Sequence, residues 1–442
     1  MKAIILFFSS FFILLYNLGN QSLYPWDEAW YASIARNIVR GGSLLDLNYN
    51  SFPYWDHPPL GFWSIALSFK LLGIGEFSAR LPMVLFASLS VVVIFLIGQK
   101  LKDLWVGLSA AVILFSSRWF LLRARSANLD ILLLLCQLLV FYFSYNPKRL
   151  RDLYLLWFFF GLGLLSKSVI MVTLLPLVFL STYQFVKNNK LKKGEWFGVA
   201  AIFVFPILSW YGFNTIRYGL PFLNRNILMV GLRRAETTGL SWSAFSQTML
   251  YFRSAVHKWY LPFLSSLFLS IFLLERRQIR QVLFYLFLVS FPYLLSAETQ
   301  IWHLIPVMAP MALLVSLVAF EIIDTILPVF KGTLLAIFIL IAIFSFNSYW
   351  PSIFALPKAV SNEARLALIA KKSDLPLLVE DRTYLPAVIF YADKKIKPVY
   401  DRKVIENEPR PFQLLTRDFL LSNLKNYEVV SQTGDYVLIL VK

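Results

Sequence analysis

The sequence predicts an α-helical polytopic membrane protein with about eleven transmembrane helices, outer-face amphipathic helices and a small C-terminal extracytoplasmic α/β domain. Of its 442 residues, 58% are hydrophobic and only 15% are charged, and the mean hydropathy is +0.64. A water-soluble globule of this length would have too little polar surface to cover its exterior. Apolar stretches of spanning length also recur along the chain, with short basic clusters between them.

The first predicted span covers residues 3–20 and follows the positive charge of Lys2. This start is similar to a signal peptide, but no small-x-small cleavage site follows it, so we interpret it as a retained span. The remaining predicted spans cover residues 79–99, 104–121, 129–145, 152–166, 168–186, 195–212, 256–273, 281–296, 304–323 and 331–349.

Charge between the spans predicts their orientation. With the amino terminus inside, the even-numbered connections carry basic clusters that begin at Lys100, Lys148, Lys187, Arg276 and Lys331. The outer face then holds residues 21–78, 117–128, 212–255, 297–302 and all residues after 350. The apolar run 60–72 is short and contains Lys70, so we expect a helix that lies on or dips into the outer surface.

Two domains are predicted: a transmembrane domain of residues 1–350, whose first outer loop is 21–78, and an extracytoplasmic α/β domain of residues 351–442. After residue 351 the composition becomes mixed polar. Segments with a period of two predict strands at 375–380, 387–391 and 427–441, the last interrupted at 432–435. We expect a multi-pass protein of the cytoplasmic (inner) membrane, with its chemistry on the extracytoplasmic side.

Composition excludes several classes of site and partner. The single cysteine, Cys136, excludes a disulfide framework and any multi-cysteine metal site. The net charge of +17 could indicate a nucleic-acid partner, but no basic stripe carries interleaved stacking aromatics. We therefore expect no nucleic acid, and we attribute the charge to membrane topology and to an anionic lipid ligand.

The densest group of functional residue types lies just beyond the first span: Trp26, Asp27, Glu28, Trp30 and Tyr31. Asp27 could simply cap a helix over residues 28–39, because Asp is a favoured N-cap and Glu suits a first turn. Alternatively, the aromatic faces would pack on a sugar ring while the carboxylates accept hydrogen bonds from its hydroxyls. A carboxylate shielded by two tryptophans could also serve as a general base.

A second group follows in the same loop, where Tyr54, Asp56 and His57 precede two prolines. The prolines enforce an extended turn, which presents the acid and the histidine at the membrane surface. The segment could be only a rigid loop with solvated charges. Asp56 and His57 could also bind a divalent metal, although a metal site usually has more than two protein ligands.

Cations and one buried acid follow at the mouths of later spans. Asp130 begins an apolar span, and such an acid predicts a basic partner, for which Arg123 and Arg125 are close in sequence. Lys167 lies between two apolar runs and could either snorkel or bind a phosphate. His303 follows Trp302 and fits either an aromatic belt or a site. Four further arginines enlarge the cationic pool of the outer face: Arg217, Arg225, Arg233 and Arg234.

Taken in order, these segments resemble the polyprenyl-phosphate-dependent membrane glycosyltransferases. That family includes the dolichyl-phosphate-mannose protein mannosyltransferases and the bacterial aminoarabinose transferases that act on lipid A. The likeness spans most of residues 20–320, and the aminoarabinose enzymes carry Lys-Pro where this chain has His57-Pro58. The motifs that carry it are Trp26-Asp27-Glu28, Asp56-His57-Pro58-Pro59-Leu60-Gly61, Asn128-Leu129-Asp130, the stretch from Gly161 to Lys167, and that from His303 to Pro306.

The resemblance implies an inverting transfer of a hexosyl or pentosyl group from a polyprenyl-phosphate carrier to an acceptor hydroxyl of a protein, lipid A or glycan. Asp27 is the expected general base, with Glu28 or Asp130 orienting it. Cations would stabilise the charge on the leaving phosphate, and no soluble nucleotide sugar is required. The one cofactor left open is the divalent metal that Asp56 and His57 could bind. The expected substrate-binding residues are Trp26, Trp30, Tyr31, Tyr54, Asp56, His57, Arg123, Arg125, Lys167 and His303.

Two other functions fit parts of the pattern. In a transporter or flippase for lipid-linked sugars, Asp130 and Lys167 would be gating or substrate charges, and broken helices would occur in matching halves. A non-catalytic subunit that binds lipid-linked sugars would keep the phosphate-binding cations but could lose the general base.

Overall fold

The computed structural model describes residues 1–232, 242–294, 296, 299–380, 385–401 and 403–442, and it is mostly helical. Through the first two hundred or so residues the helices are α1 (Lys2–Leu15), α2 (Asp27–Val39), α3 (Leu60–Leu72), α4 (Glu76–Leu101), α5 (Leu104–Phe115), α6 (Arg118–Ala124), α7 (Asp130–Ser144), α8 (Leu150–Lys167), α9 (Leu175–Asn188), α10 (Lys193–Ile207), α11 (Phe213–Tyr218) and α12 (Leu220–Leu223).

Later helices are α13 (Trp242–Val256), α14 (Tyr260–Ser270), α15 (Arg277–Leu294), α16 (Met308–Ile326), α17 (Lys331–Ile353), α18 (Asn362–Ala370), α19 (Leu385–Ala392) and α20 (Lys403–Glu406). Short 3-10 segments extend several of them, as at Ser168–Leu174 before α9 and Ile301–Val307 before α16. Two π-helical segments, Leu208–Gly212 and Asn224–Leu232, occur near the outer loop that follows α10.

A helix lies on each predicted span, and the chain is an integral multi-pass membrane protein. Within the described ranges, six helical stretches are long and apolar enough to cross a bilayer: Glu76–Leu101, Ile170–Asn188, Lys193–Tyr218, Trp242–Leu273, Ile301–Ile326 and Pro328–Ile353. Helices α5 and α6 would form a seventh if counted together, although the chain bends by 71° between them. The prediction of about eleven crossings is therefore met in part, because α1 and α7 are shorter apolar helices and α8 and α15 are not among these stretches.

The apolar run 60–72 forms helix α3, as expected from the sequence. It packs against α2 and α4, and its inward face buries Phe62, Ile65 and Phe69. Its other face exposes Leu67, Leu71 and Leu72. An apolar exposed face on a helix too short to span suits a position at the membrane surface.

The C-terminal residues form a five-stranded mixed sheet in the order β4-β3-β5-β7-β6. Its strands are β3 (Leu377–Val379), β4 (Ile396–Pro398), β5 (Phe412–Arg417), β6 (Tyr427–Thr433) and β7 (Tyr436–Val441), whereas β1 (Asn48–Tyr49) and β2 (Phe52–Pro53) form a separate hairpin in the first outer loop. Strand β3 pairs in parallel with β4 and β5, and β7 is antiparallel to both β5 and β6. Gly434 makes the β6-β7 turn with a φ of +60°, a conformation that favours glycine.

Of the three predicted strand segments in the C-terminal region, two are confirmed and one is wrong. Those at 375–380 and 427–441 are confirmed, including the interruption before Tyr436. The prediction at 387–391 is wrong, because these residues belong to helix α19, which is buried from Pro386 to Ala392. A short apolar run that is buried on every side has no periodicity by which a strand and a helix can be distinguished. The sequence also gave no signal for the central strand β5.

Helices α4 and α5 form a tight hairpin at two glycines. A Cβ atom added at Gly98 would lie 2.6 Å from the Cα of Gly107 and 2.7 Å from its backbone nitrogen. Backbone atoms in adjacent helices cannot move aside as a flexible side chain can, so this crossing needs small residues.

We predict that Gly98→Ala lowers the free energy of unfolding by about 1–3 kcal/mol, because the new methyl group overpacks the α4-α5 contact. Thermal unfolding of the purified protein in detergent would measure the change. The control is Gly194→Ala in the first turn of α10, where an added Cβ has no neighbour within 4 Å. Helix propensity makes the control neutral or slightly stabilising. Equal melting temperatures for the two variants would contradict the proposed close approach.

Candidate active site

A buried acid at the start of α7 holds two cations from different parts of the chain. Asp130, only 2% exposed, accepts a hydrogen bond at Oδ2 from the Arg123 guanidinium at 2.9 Å, and its Oδ1 pairs with the ammonium of Lys167. The Asn128 side chain accepts hydrogen bonds from the backbone N–H groups of Asp130 and Ile131, which fixes the first turn. The structure thus gives Asp130 the basic partner that the sequence required, and adds a second.

Asp27 reaches the same guanidinium from the first outer loop. The Nη2 atom of Arg123 lies 3.4 Å from Oδ2 of Asp27 and also donates to Asp130. The interpretation of Asp27 as a helix cap is wrong, since α2 begins at Asp27 itself, and Trp26 occupies the N-cap position without a side-chain hydrogen bond. A carboxylate in the first turn still interacts favourably with the helix dipole. Asp27 is 20% exposed, so a substrate can reach it.

Glu28, in contrast, is fully occupied by protein donors. Its Oε1 accepts from Arg80 Nε and the Ala127 backbone N–H, each at 2.8 Å, and its Oε2 accepts from Arg80 Nη2 at 2.8 Å and the Tyr24 backbone N–H at 2.7 Å. A carboxylate offers about four acceptor positions, and four are used. The structure therefore places Glu28 in a structural ion pair, away from the role of orienting the base that the sequence suggested.

Sequence reasoning missed Arg80, the partner of Glu28. Its guanidinium also donates to the backbone carbonyls of Leu18, Gln21 and Ser22, so it gathers the end of the first span and the start of the outer loop. An arginine at the mouth of an apolar run was the available signal, because such a residue usually has a partner.

The ionisation of Glu28 follows from these contacts. Burial alone would raise the pKa of its carboxyl, but the charge of Arg80 and the hydrogen bonds from Arg80, Tyr24 and Ala127 outweigh it and hold the pKa below the ordinary value of 4.5. Glu28 is therefore ionised at neutral pH, as the bidentate contact requires.

Arg125 is likewise used within the protein. It donates at 2.6 Å to the backbone carbonyls of Leu14 and Tyr16, which have no helical partner at the end of α1. Its guanidinium also lies 4.6 Å from the centre of the Phe354 ring. The geometry indicates that Arg125 joins the end of α1 to the residue that follows α17. Because Arg125 also lines the cavity described below, its expected role as a phosphate ligand stays a prediction.

Aromatic side chains of α2 and of the loop that follows it form a packed layer. Trp30 lies 5.1 Å from Tyr49 and 5.9 Å from Tyr54, measured between ring centres, and His57 lies 6.0 Å from Tyr31 and 6.4 Å from Tyr54. Tyr31 and Tyr54 are buried, so both support the loop from within. Trp26 differs from this layer because it is 45% exposed.

Tyr31 belongs to this layer and is also close to the charged side chains of Asp27 and Asp130. Burial and the neighbouring charges of Asp27 and Asp130 raise the pKa of its phenol well above the ordinary value of 10. Its hydroxyl is therefore neutral across the physiological range and can donate a hydrogen bond.

Asp56 pairs with Arg225 from the segment after α10, with distances of 2.5 Å to Nε and 2.8 Å to Nη2. Asn226 donates to the carbonyl of Trp55, and the centre of the Trp55 ring lies 4.9 Å from that of Tyr218, with the two rings tilted by 55°. In the part of the chain that the structure describes, no three His, Cys, Asp or Glu side chains group to hold a metal. Arg233 and Arg234 lie outside the described residues.

His303 and its neighbour approach the site from the 3-10 segment before α16, which packs against α7. The His303 ring stacks on Tyr293 at 6.4 Å, and its Nδ1 accepts from the Gln300 backbone N–H at 3.2 Å. Trp302 places its ring 5.9 Å from the Arg123 guanidinium carbon. The tryptophan thus covers one face of the arginine that joins Asp27 to Asp130.

A cavity of about 700 Å³ opens beside Asp27 and Arg123. Trp26, Trp119 and Trp302 supply aromatic surface, and the cavity continues to the C-terminal region. Its remaining lining comes from Asn17, Leu18, Gln21, Ser22, Leu23, Tyr24, Pro25, Glu28, Arg80, Leu122, Arg125, Ser126, Ser352, Ile353, Leu356, Ser361 and Glu363. A volume of this size, with aromatic surface beside charged and polar side chains, suits a small polar ligand or a sugar ring.

Comparisons with known proteins agree with the predicted likeness. The profile of the dolichyl-phosphate-mannose-protein mannosyltransferase family matches residues 56–211, which include Asp56, Arg123, Asp130 and Lys167. The chain resembles the polyprenyl-phosphate-dependent membrane glycosyltransferases. The resemblance inferred from the ordered motifs is thereby confirmed.

Curated relatives of this glycosyltransferase type match over part of the chain. An undecaprenyl phosphate-alpha-4-amino-4-deoxy-L-arabinose arabinosyl transferase of Pseudomonas fluorescens is 28% identical over 160 residues, which cover 35% of this chain and 29% of the relative. The corresponding protein of Shewanella sediminis is 34% identical over 110 residues, which cover 24% and 20%. The match therefore spans under a third of the length of these two relatives.

Two solved structures share the fold over a much longer range. The structure of ArnT from Cupriavidus metallidurans bound to undecaprenyl phosphate has a TM-score of 0.74 at 15% identity, and the alignment covers 99% of this chain and 97% of that one. The oligosaccharyltransferase AglB from Archaeoglobus fulgidus, in complex with an inhibitory peptide and a dolichol-phosphate, has a TM-score of 0.59 at 11% identity, covering 90% and 65%.

We predict that Glu28→Gln and Arg80→Met each lower the free energy of unfolding by about 3–5 kcal/mol, because each leaves a buried charge without its counter-ion. The double variant should lose less than the sum of the two, which a double-mutant cycle in detergent would measure. Additive losses would argue against a direct pair.

The same pair makes the stability of the protein depend on pH. Because the pKa of Glu28 is lowered on folding, its contribution to the free energy of unfolding is fully present above pH 4.5 and is lost as the pH falls through the lowered pKa.

Proposed function

We propose that this chain is an inverting glycosyltransferase that moves a hexosyl or pentosyl group from a polyprenyl-phosphate carrier to an acceptor hydroxyl. The observation that carries the proposal is the guanidinium of Arg123, which joins an accessible carboxylate, Asp27, to the buried pair of Asp130 and Lys167. The names of the matched relatives and the shared fold support this class of reaction.

Asp27 is assigned the role of general base. An inverting transfer in one step needs a carboxylate that removes the acceptor proton on the face opposite the leaving group. Asp27 lines the cavity, and Arg123 fixes its position from behind. The acceptor hydroxyl would enter through the cavity, where the exposed ring of Trp26 offers an apolar face to a sugar.

Arg123 and Lys167 are assigned to the leaving phosphate. Hydrogen bonds to Asp130 leave both cations with donors to spare, because an ammonium has three N–H groups and a guanidinium five. Among the residues that the structure describes, the buried Nε–H of Arg123 has no hydrogen-bond partner. An unsatisfied buried donor is costly, and a phosphate oxygen would satisfy it. His57, the neighbour of Asp56 in sequence, is assigned to the same leaving phosphate.

The proposed topology has eleven crossings, with the amino terminus inside and the site on the extracytoplasmic face of the inner membrane. Residues 1–350 would form the transmembrane domain and residues 351–442 the extracytoplasmic domain. The positive-inside distribution of the basic clusters supports this orientation. The acceptor would be a protein, lipid A or a glycan, and the names of the two relatives described above, both arabinosyl transferases, favour transfer over flipping.

We predict that Asp27→Asn lowers the rate of transfer by at least about 100-fold, because it removes the base with almost no change of volume. The variant should still insert in the membrane and bind the donor lipid. The matched control is Asp46→Asn, since Asp46 lies in the same outer loop, is also 20% exposed and also pairs with an arginine, Arg217. Near-normal transfer by Asp27→Asn would refute the assignment, whereas normal donor binding with no transfer would separate an enzyme from a flippase.

We predict that a polyprenyl phosphate, with or without its sugar, co-purifies with the wild-type protein. Mass spectrometry of the extracted lipids identifies it, and the mass of the attached sugar names the transferred group. Lys167→Met should retain less of this lipid, because one of the two cations assigned to the phosphate is lost. Lipid extracts without polyprenyl phosphate, together with no binding of added undecaprenyl phosphate, would count against the proposed donor.

A further inference from the structure

We propose that the C-terminal α/β region holds the catalytic helix α2 in its working position, with Arg36 and Asp393 as positioning residues for Asp27. The inference rests on the proposed function of Asp27 as the base. It assigns a task in the reaction to residues far from the cavity wall. Helix α2 is anchored to this region both before its first residue and near its last, and each anchor has its own contacts.

The anchor near the end of α2 is Arg36. Its guanidinium donates to the backbone carbonyl of Phe390 at 2.6 Å and to that of Ile389 at 3.3 Å, and it pairs with Asp393 at 2.9 Å. These carbonyls belong to the last turn of α19, and that of Ile389 also accepts the Asp393 backbone N–H at 3.3 Å. Arg36 therefore caps a helix of the C-terminal region while it belongs to the helix that carries Asp27.

Asp393 collects further cations at this anchor. It pairs with Arg40, the residue after α2, and with Lys371 at 2.9 Å. Burial would raise the pKa of its carboxyl, but the hydrogen bonds from Arg40 and Lys371 and the charge of Arg36 outweigh it and lower the pKa. One carboxylate thus joins α2, the loop after α18 and the end of α19.

The second anchor holds the chain just before α2. The hydroxyl of Tyr391 in α19 accepts a hydrogen bond from the Leu23 backbone N–H at 2.7 Å and donates to Glu76 at 2.8 Å. Backbone hydrogen bonds also join Ala359 to Asn20 and to Ser22, at 2.9 and 3.1 Å. The three residues between Leu23 and α2 include Trp26, so this anchor adjoins the exposed side of the cavity.

The two anchors fix the direction of the α2 axis, which the Glu28-Arg80 pair alone does not. That pair fixes one point near the start of α2, and a rigid helix can still pivot about a single point. Arg36 lies nine residues after Asp27, which is about 14 Å along the helix axis, and a second contact at that distance fixes the direction of the axis. A displacement of about 1 Å at a catalytic group can cost roughly 100-fold in rate, so the direction of the axis matters for catalysis.

The test compares two acids of the C-terminal region, each buried and paired with a basic residue. Asp393→Asn removes the charge that holds Arg36 and Arg40, whereas Glu408→Gln removes the partner of Lys397 within the region itself. We expect Asp393→Asn to lower kcat by about 10- to 100-fold with unchanged KM for donor and acceptor. We expect Glu408→Gln to leave kcat unchanged. Arg36→Lys should retain more activity than Arg36→Met, because it keeps the charge.

A second measurement does not depend on the identity of the base. Hydrogen exchange of the amides of α2 should become faster in Asp393→Asn than in Glu408→Gln at equal melting temperature. Unchanged exchange in α2, an equal loss of kcat in both variants, or a raised acceptor KM at normal kcat would each overturn the positioning role. If exchange rises as expected but Asp27→Asn still transfers sugar, the anchor stands and the assignment of the base fails.

Discussion

The ion pair between Glu28 and Arg80 is the contact on which the geometry of the site depends. It is buried, bidentate and supported by backbone groups from both sides, so it joins the end of α1, the start of the outer loop, helix α4 and the turn before α7. Burying two charges is costly, and a buried pair contributes chiefly by requiring one geometry. That geometry leaves Asp27, the next residue in the chain, facing the cavity and Arg123.

The second charged network alternates in sign through Asp27, Arg123, Asp130 and Lys167. Two acids and two bases sum to zero, so the set can lie in a poorly hydrated region without a net charge. In the proposed reaction the donor phosphate would add negative charge, and the remaining N–H groups of the two cations could donate hydrogen bonds to it. The two acids would then have different tasks: Asp130 would keep the cations aligned when no donor is bound, and Asp27 would remain available to the acceptor.

Local patterns in the sequence predicted much of the fold and part of the site. The spans follow from runs of apolar residues, and the pairing of Asp130 with Arg123 was foreseeable because the two lie close in sequence. Arg80 pairs with Glu28 across 52 positions, and Arg36 reaches Phe390 across 354, so neither contact leaves a local pattern. Arg125 illustrates a different difficulty: a sequence pattern does not distinguish an arginine that donates to the end of a helix from one that binds phosphate.

The order of strands in the C-terminal sheet has a consequence for synthesis of the protein. Strand β7 lies inside the sheet, between β5 and β6, so the sheet is incomplete until residues 436–441 have been made. Helix α2 is synthesised long before its partner α19, because Phe390 follows Arg36 by 354 positions. At about 5–20 residues per second, that interval lasts roughly 20–70 seconds. During this interval α2 lacks its contacts with the C-terminal region, so a helix near the start of the chain reaches its final packing only when the end of the chain has been made.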